Sequence, residues 1–190
     1  MVDLFKDLDT QLFLYLNHLH SPFWDAIMFC ISGKLIWIPL YLGILAYIIH
    51  KYRKDCWLPL FSICLVILFS DQLASGLIKP LAERLRPSHE PSLEGLVHIV
   101  NGYKGGKYGF ASSHASNTFG LALFTLLIFK NKLYSTIIVI WATVVSYSRI
   151  YLGVHYPADI LAGAAIGILS AFSCYYIYLV MKNKYIKPYS

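Results

Sequence analysis

Residues 148–159 read Ser-Arg-Ile-Tyr-Leu-Gly-Val-His-Tyr-Pro-Ala-Asp, and they place Arg149, His155 and Asp159 between two apolar runs, Leu133–Tyr151 and Tyr156–Val180. Each run is near the length of about 20 residues that a helix needs to cross a bilayer. A charge at membrane depth costs roughly 2.5–3.5 kcal/mol on insertion scales unless it is paired or in use. An arginine suits an oxyanion, because its planar fork offers several fixed N–H donors. A histidine with an aspartate four residues on fits an oriented base or nucleophile.

The rest of the chain agrees with a membrane setting. Of 190 residues, 57% are hydrophobic and 14% charged, against about 25% charged in a soluble domain. The net charge of +6 raises nucleic acid as a partner, but the basic residues cluster at the ends of apolar runs, as lipid topology expects, so none is expected. Cys30, Cys56, Cys64 and Cys174 form no paired motif. They read as small buried hydrophobes, with no metal site or disulfide. The N-terminus lacks the basic and apolar regions of a cleaved signal.

Further spans are expected at Trp57 to about Leu81 and at His114–Phe129, joined by a polar loop from Pro87 to Phe110. Leu4, Phe5, Leu8, Leu12, Tyr15 and Leu16 recur at helical spacing, which predicts an amphipathic helix lying in the interface. Between His18 and His50 the pattern fits a short helix followed by a span from Lys34, or one long tilted helix. The fold class is therefore all-α: an integral membrane bundle of five to six spans in a single domain, residues 1–190.

Lysine and arginine set the orientation. Lys51–Lys54, Lys130–Lys132 and the tail with Lys182, Lys184 and Lys187 share one side of a five-span layout, expected to be cytoplasmic. Three polar clusters then meet at the opposite face. The first is Lys79 with Arg86-Pro87, six residues intervening. Alone it would read as basic side chains snorkelling to head groups. The second, Ala111-Ser112-Ser113-His114, opens a helix, where free N–H groups and a positive dipole end attract anions, although either serine alone could be a plain cap. The third is residues 148–159.

With all three in this order, the chain resembles the type 2 phosphatidic acid phosphatase superfamily, which includes membrane lipid phosphatases and vanadium haloperoxidases. The motifs are residues 79–87, 111–114 and 148–159. The second departs from the usual Pro-Ser-Gly-His, with Ala111 for proline and Ser113 for glycine. The resemblance implies a metal-independent reaction without cofactors. His155 attacks phosphorus, Asp159 orients it, and His114 protonates the leaving oxygen and then activates water. Lys79, Arg86, Arg149, Ser112 and the backbone of Ser113 hold the phosphoryl oxygens. A haloperoxidase is soluble, which conflicts with this hydropathy.

The resemblance also implies a bacterial inner-membrane enzyme with its site on the periplasmic face. The partner is a lipid phosphate in the bilayer. Undecaprenyl diphosphate is the first choice of substrate, ahead of phosphatidylglycerophosphate, phosphatidic acid and lipid A, with a non-catalytic lipid-phosphate binder as the other class. The motifs do not fix the oligomeric state. Asp71 and Gln72 are read as a partner for a lysine or as polar residues lining the bundle interior, Asn117 as orienting His114 or lining the site, and His89, Glu90 and His98 as outer-loop groups that touch a head group or are merely solvated.

Overall fold

The spacing of apolar residues near the N-terminus is realised as α1 (Val2–His18) in the computed structural model, which describes residues 2–186 and, for side chains, residues 4–186. Phe13 and Asn17 are buried on its inner side, while Leu4, Phe5, Leu8, Leu12 and Tyr15 are exposed. That outward apolar face suits a helix lying on lipid. Ser21 caps α2 (Pro22–Ser32) by accepting a hydrogen bond from the Trp24 N–H, and Pro22 opens it, as proline does well at a first helical position. Gly33 ends α2 and a short 3₁₀ turn leads into α3 (Ile38–Tyr52). Of the two sequence alternatives, the chain takes the short helix followed by a span.

At Arg53 the backbone adopts φ 51° and reverses, so the apolar run Leu35–Ala82 folds into two antiparallel limbs. The second limb is α4 (Trp57–Asp71), a wide π-helical stretch (Gln72–Ile78) and α5 (Lys79–Ala82). The Lys79 N–H bonds to the Ala74 carbonyl, five residues back. Pro80 explains the widening, since its ring would collide with the carbonyl four residues earlier in a regular helix. Then come α6 (Ser113–Phe129), α7 (Lys132–Tyr151) and α8 (Pro157–Tyr185). The expected spans thus form within a few residues of their expected ends.

α6 and α8 cross at the centre, because glycines let their backbones approach. A Cβ on Gly163 would meet the Ser112 carbonyl, and one on Gly167 the Ser116 carbonyl. Small residues at helix crossings serve this purpose in membranes. Around the crossing, Ile48, Leu58, Val66, Phe124, Trp141 and Ala171 form one apolar core. Outside it, Phe61, Leu68, Ile140, Leu161, Leu169 and Phe172 are exposed, an apolar perimeter that water would not tolerate and lipid does.

The basic turns share one end. Lys51 Nζ donates to the carbonyls of Ile128 and Phe129 at 3.3 and 3.0 Å, which sets it at the α6 end next to Lys130. Lys187 lies outside the described residues. One expectation needs correction. Only Cys174 is buried; Cys56 is partly covered, and Cys30 and Cys64 are exposed, because their helices turn those faces outward, where a thiol is as acceptable to lipid as a methyl.

Candidate active site

The end of the bundle away from the lysines is built around the α7–α8 turn. α7 closes at Tyr151, and Gly153 at φ 73° lets the Val154 N–H return to the Arg149 carbonyl at 3.1 Å. A side chain on Gly153 would strike Val97 and the His98 carbonyl, so only glycine fits. The reversal buries His155, 1% exposed, immediately before α8. Asp159 is the third residue of that helix. Its carboxylate reaches back to the Tyr156 N–H at 3.0 Å, the ordinary capping use of an acid at this position. The same oxygen, Oδ2, accepts from His155 Nδ1 at 3.2 Å. The four-residue spacing therefore lets one helix cap serve as an orienting carboxylate, and the free lone pair of the imidazole falls on Nε2.

The other oxygen of Asp159 accepts from Arg84 at 3.1 Å, and Arg84 also donates to Asp9 of α1 at 2.7 Å. Asp9 in turn accepts from the Ala158 N–H at 2.8 Å. The Arg84 guanidinium lies 3.9 Å from the Tyr156 ring centroid, stacked as arginine prefers. In the sequence Arg84 sits in the basic run between Lys79 and Arg86, and Asp9 among the acids of the amphipathic N-terminal helix. Nothing in either position signals a link across 75 residues.

Three cations surround the imidazole. Arg86, 8% exposed, is held by the carbonyls of Tyr108 and Val154 at 3.0 and 3.4 Å. Its backbone pairs with Lys107 at 3.1 Å and Gly109 pairs with Arg84 at 2.9 Å, so the polar loop returns against the motif. Gly105 and Gly109 leave room for this. A Cβ on Gly105 would lie 2.6 Å from the Arg86 guanidinium, and one on Gly109 2.9 Å from Asp159. Arg149, 3% exposed, donates to the Ser32 hydroxyl and, at 3.2 Å, to the Tyr103 hydroxyl. Its Nε has no partner among the described residues. A buried unpaired donor of this kind is expensive unless a ligand completes it. Lys79 donates to Ser113 Oγ at 3.2 Å, and that hydroxyl shares a 2.6 Å hydrogen bond with Ser75. Burial, then the charges of Arg86, Arg149 and Lys79, hold His155 well below the ordinary imidazole pKa. It is a neutral base at physiological pH.

Ser112 caps α6, its hydroxyl accepting from the Ala115 N–H at 3.5 Å, and its own N–H meets the Asp159 carbonyl at 3.0 Å. That bond fixes the N-terminus of α6, with Ser113 and His114, beside the start of α8. The Phe110–Ala111 peptide just before it is cis. His114 is part-buried and lines an apolar cavity of about 490 Å³ with Lys34, Trp37, Tyr41, Ile63 and Trp141. The fold thus gathers all eight sequence-selected residues at one end, and adds Ser32, Lys34, Arg84 and Tyr103.

The secondary candidates are placed as well. Asn117 donates to Asp71 at 3.3 Å one turn below His114, and Gln72 faces outward. His89 Nε2 lies 3.4 Å from the Gly105 carbonyl, and Glu90 accepts from Ser92.

An oriented neutral imidazole, a ring of cations at a helix N-terminus and an apolar cavity beside them define a membrane enzyme acting on a phosphorylated lipid. The chain belongs to the PAP2 superfamily, whose sequence model matches residues 56–182. Among curated proteins, it is 45% identical to a lipid A 4'-phosphatase of Bacteroides thetaiotaomicron over 93% of this chain and 80% of that one. It is 39% identical to a lipid A 4'-phosphatase of Porphyromonas gingivalis over 95% and 77%. Among solved structures, Aquifex aeolicus LpxE shares the fold, with a TM-score of 0.71 at 24% identity, covering 89% of this chain and 95% of that one. The PAP2 type phosphatidylglycerolphosphate phosphatase of Bacillus subtilis follows, at 0.66 and 25%, over 97% and 89%. The protein is an integral membrane lipid phosphatase, a hydrolase.

Proposed function

We propose that this phosphatase removes a phosphate monoester from lipid A, with His155 as the nucleophile. The substrate follows the two relatives of that name, which match nearly the whole chain. The initial preference for undecaprenyl diphosphate has weaker support. An undecaprenyl-diphosphatase of Sulfolobus acidocaldarius is 30% identical over 86% of this chain, and a putative one of Escherichia coli is 36% identical over 40%. The observation that carries the chemistry is the buried His155–Asp159 pair facing Arg86, Arg149 and Lys79.

In this reading His155 Nε2 attacks phosphorus while the bond to the sugar oxygen breaks, and His114 gives that oxygen its proton. Asp159 supports the charge that develops on the ring. Arg86, Arg149, Lys79, Ser112 and the N–H of Ser113 hold the three phosphoryl oxygens, where positioning and charge stabilisation do most of the catalysis. His114 then takes a proton from water, which attacks the phosphohistidine. The P–N bond breaks, inorganic phosphate leaves and His155 is neutral again. The cavity beside His114 takes an acyl chain while the head group meets the cations. The whole chain 1–190 acts as one membrane-embedded domain. The basic end faces the cytoplasm and the site opens on the outer side of the inner membrane.

The test is a phosphate-release panel on purified protein in micelles, using lipid A, undecaprenyl diphosphate, phosphatidylglycerophosphate and phosphatidic acid. Lipid A should be converted fastest, to a monophosphorylated product seen by mass spectrometry. Faster release from undecaprenyl diphosphate would overturn the substrate.

A further inference from the structure

We propose that His20, Asp25 and His98 form a binding site for a divalent transition metal, zinc by preference, which clasps the α1–α2 connection to the outer loop beside the active site. One ligand atom from each residue lies within 4.8 Å of the others. The three come from separate parts of the chain: the α1–α2 connection, α2 and the loop before α6. None has a role in the catalytic reading.

Their surroundings are built rather than incidental. Asn17 grips His98 by its backbone on both sides, accepting from its N–H at 2.8 Å and donating to its carbonyl at 3.1 Å. Asn17 also reaches the carbonyls of Ile150 and Tyr151 at the end of α7. Asp25 accepts from the Tyr151 hydroxyl at 2.6 Å, and Tyr151 is further tied to the backbone of Ser21. Metal ligands are ordinarily fixed in this way by an outer layer of hydrogen bonds.

The spacing fits a small ion. Tetrahedral zinc with bonds near 2.0–2.2 Å holds its ligand atoms about 3.3 Å apart. His98 Nε2 and Asp25 Oδ1 already stand 2.9 Å apart in a hydrogen bond, whose proton the ion would replace. The widest separation of the cluster must close by roughly 1.5 Å to reach that geometry. His20 can supply the movement. It is exposed, has no hydrogen-bond partner among the described residues, and is held by stacking on the His98 ring, 3.6 Å between centroids, with an edge contact to His18. Rotation out of the stack would aim its nitrogen at the ion. His18, with its ring 5.9 Å from that of His20, offers a fourth ligand. Two or three imidazoles and one carboxylate select zinc or its neighbours over calcium or magnesium, which want oxygen.

The site bears on the enzyme through α2, whose Ser32 holds Arg149. A metal bound at Asp25 pins that helix to the end of α7.

The test uses tag-free protein in micelles, stripped with a chelating resin and titrated with zinc chloride by calorimetry. Cobalt(II) absorption reports the geometry. Wild type and His155→Ala should each bind one equivalent with a tetrahedral cobalt spectrum, His155→Ala excluding the active-site histidine as its source. His20→Ala, at an exposed position where folding is not at stake, and His98→Gln should lose that equivalent. His89→Ala, in the same loop but outside the cluster, should keep it. Absence of binding in wild type, or an undiminished equivalent in His20→Ala, would overturn the proposal. Neither result touches the phosphatase reading.

Discussion

Replacing Asp159 distinguishes an orienting carboxylate from a merely structural one, and the partners of its two oxygens dictate a graded result. Oδ2 accepts from both the Tyr156 N–H and His155 Nδ1, while Oδ1 accepts from Arg84. In Asp159→Asn the amide oxygen must stay at the Oδ2 position, because the backbone donor of Tyr156 cannot move. The amide nitrogen then faces Arg84, which is 26% exposed in its side chain and can swing away. His155 keeps its tautomer and loses only the negative charge behind it. Exchanging a charge-assisted hydrogen bond for a neutral one removes about 1–1.5 kcal/mol, or roughly 5- to 13-fold in kcat/KM. Asp159→Ala also frees the ring and leaves Tyr156 N–H unpaired, for a total near 3–5 kcal/mol and roughly three orders of magnitude. Initial rates of phosphate release in micelles measure both, with thermal unfolding as the control for folding. If Asn is as poor as Ala, the amide has turned its nitrogen to His155 and the assigned geometry is wrong. If both variants stay within about threefold of wild type, Asp159 does not orient the nucleophile.

Other consequences follow from the same geometry. His155 is held neutral in the folded state, whereas an unfolded histidine binds a proton near pH 6.5. Below that pH the unfolded state carries the extra proton, so stability must fall as pH drops. Melting temperatures from neutral to acid pH should decline more steeply in wild type than in His155→Gln, and the acid limb of kcat/KM should lie below pH 6.5. Ser32→Ala removes a partner of Arg149 and should weaken substrate binding by about 1 kcal/mol, five- to tenfold in KM, with a smaller change in kcat. An unchanged KM would separate Ser32 from the site. Gly167→Ala drives a methyl into the Ser116 carbonyl and should cost about 1–3 kcal/mol, read as a lower melting temperature. An unshifted melting temperature would mean the α6–α8 crossing is not tight.

The spans and the three motif clusters were legible because hydrophobic run length and local spacing are one-dimensional signals. Asp159 is readable four residues after His155 since both sit in one helix start. What holds them is not local. Asp9 looks like any acid on the polar face of an interfacial helix until the fold carries α1 across the start of α8. Ser32 and Tyr103 become partners of Arg149 only through three-dimensional packing. Gly105 and Gly109 are just two members of the polar loop in the sequence, whereas the structure uses them as space for Arg86 and Asp159. The cysteines were misjudged because burial in lipid and burial in protein give the same sequence signature. The lipid itself leaves no mark in the motifs, whose residue types suit a phosphate and nothing larger.

The central claim is that His155 carries the phosphoryl group, and an aryl phosphate with a good leaving group tests it directly in His114→Ala. Such a leaving group needs no proton from His114, but hydrolysis of the intermediate still needs His114 to activate water. Acid-labile phosphate should therefore accumulate on the peptide containing His155, as seen by mass spectrometry under alkaline conditions. It should be missing from the His114→Ala/His155→Ala double variant. Label on any other residue, or robust turnover of lipid substrate by His155→Ala alone, would contradict the account.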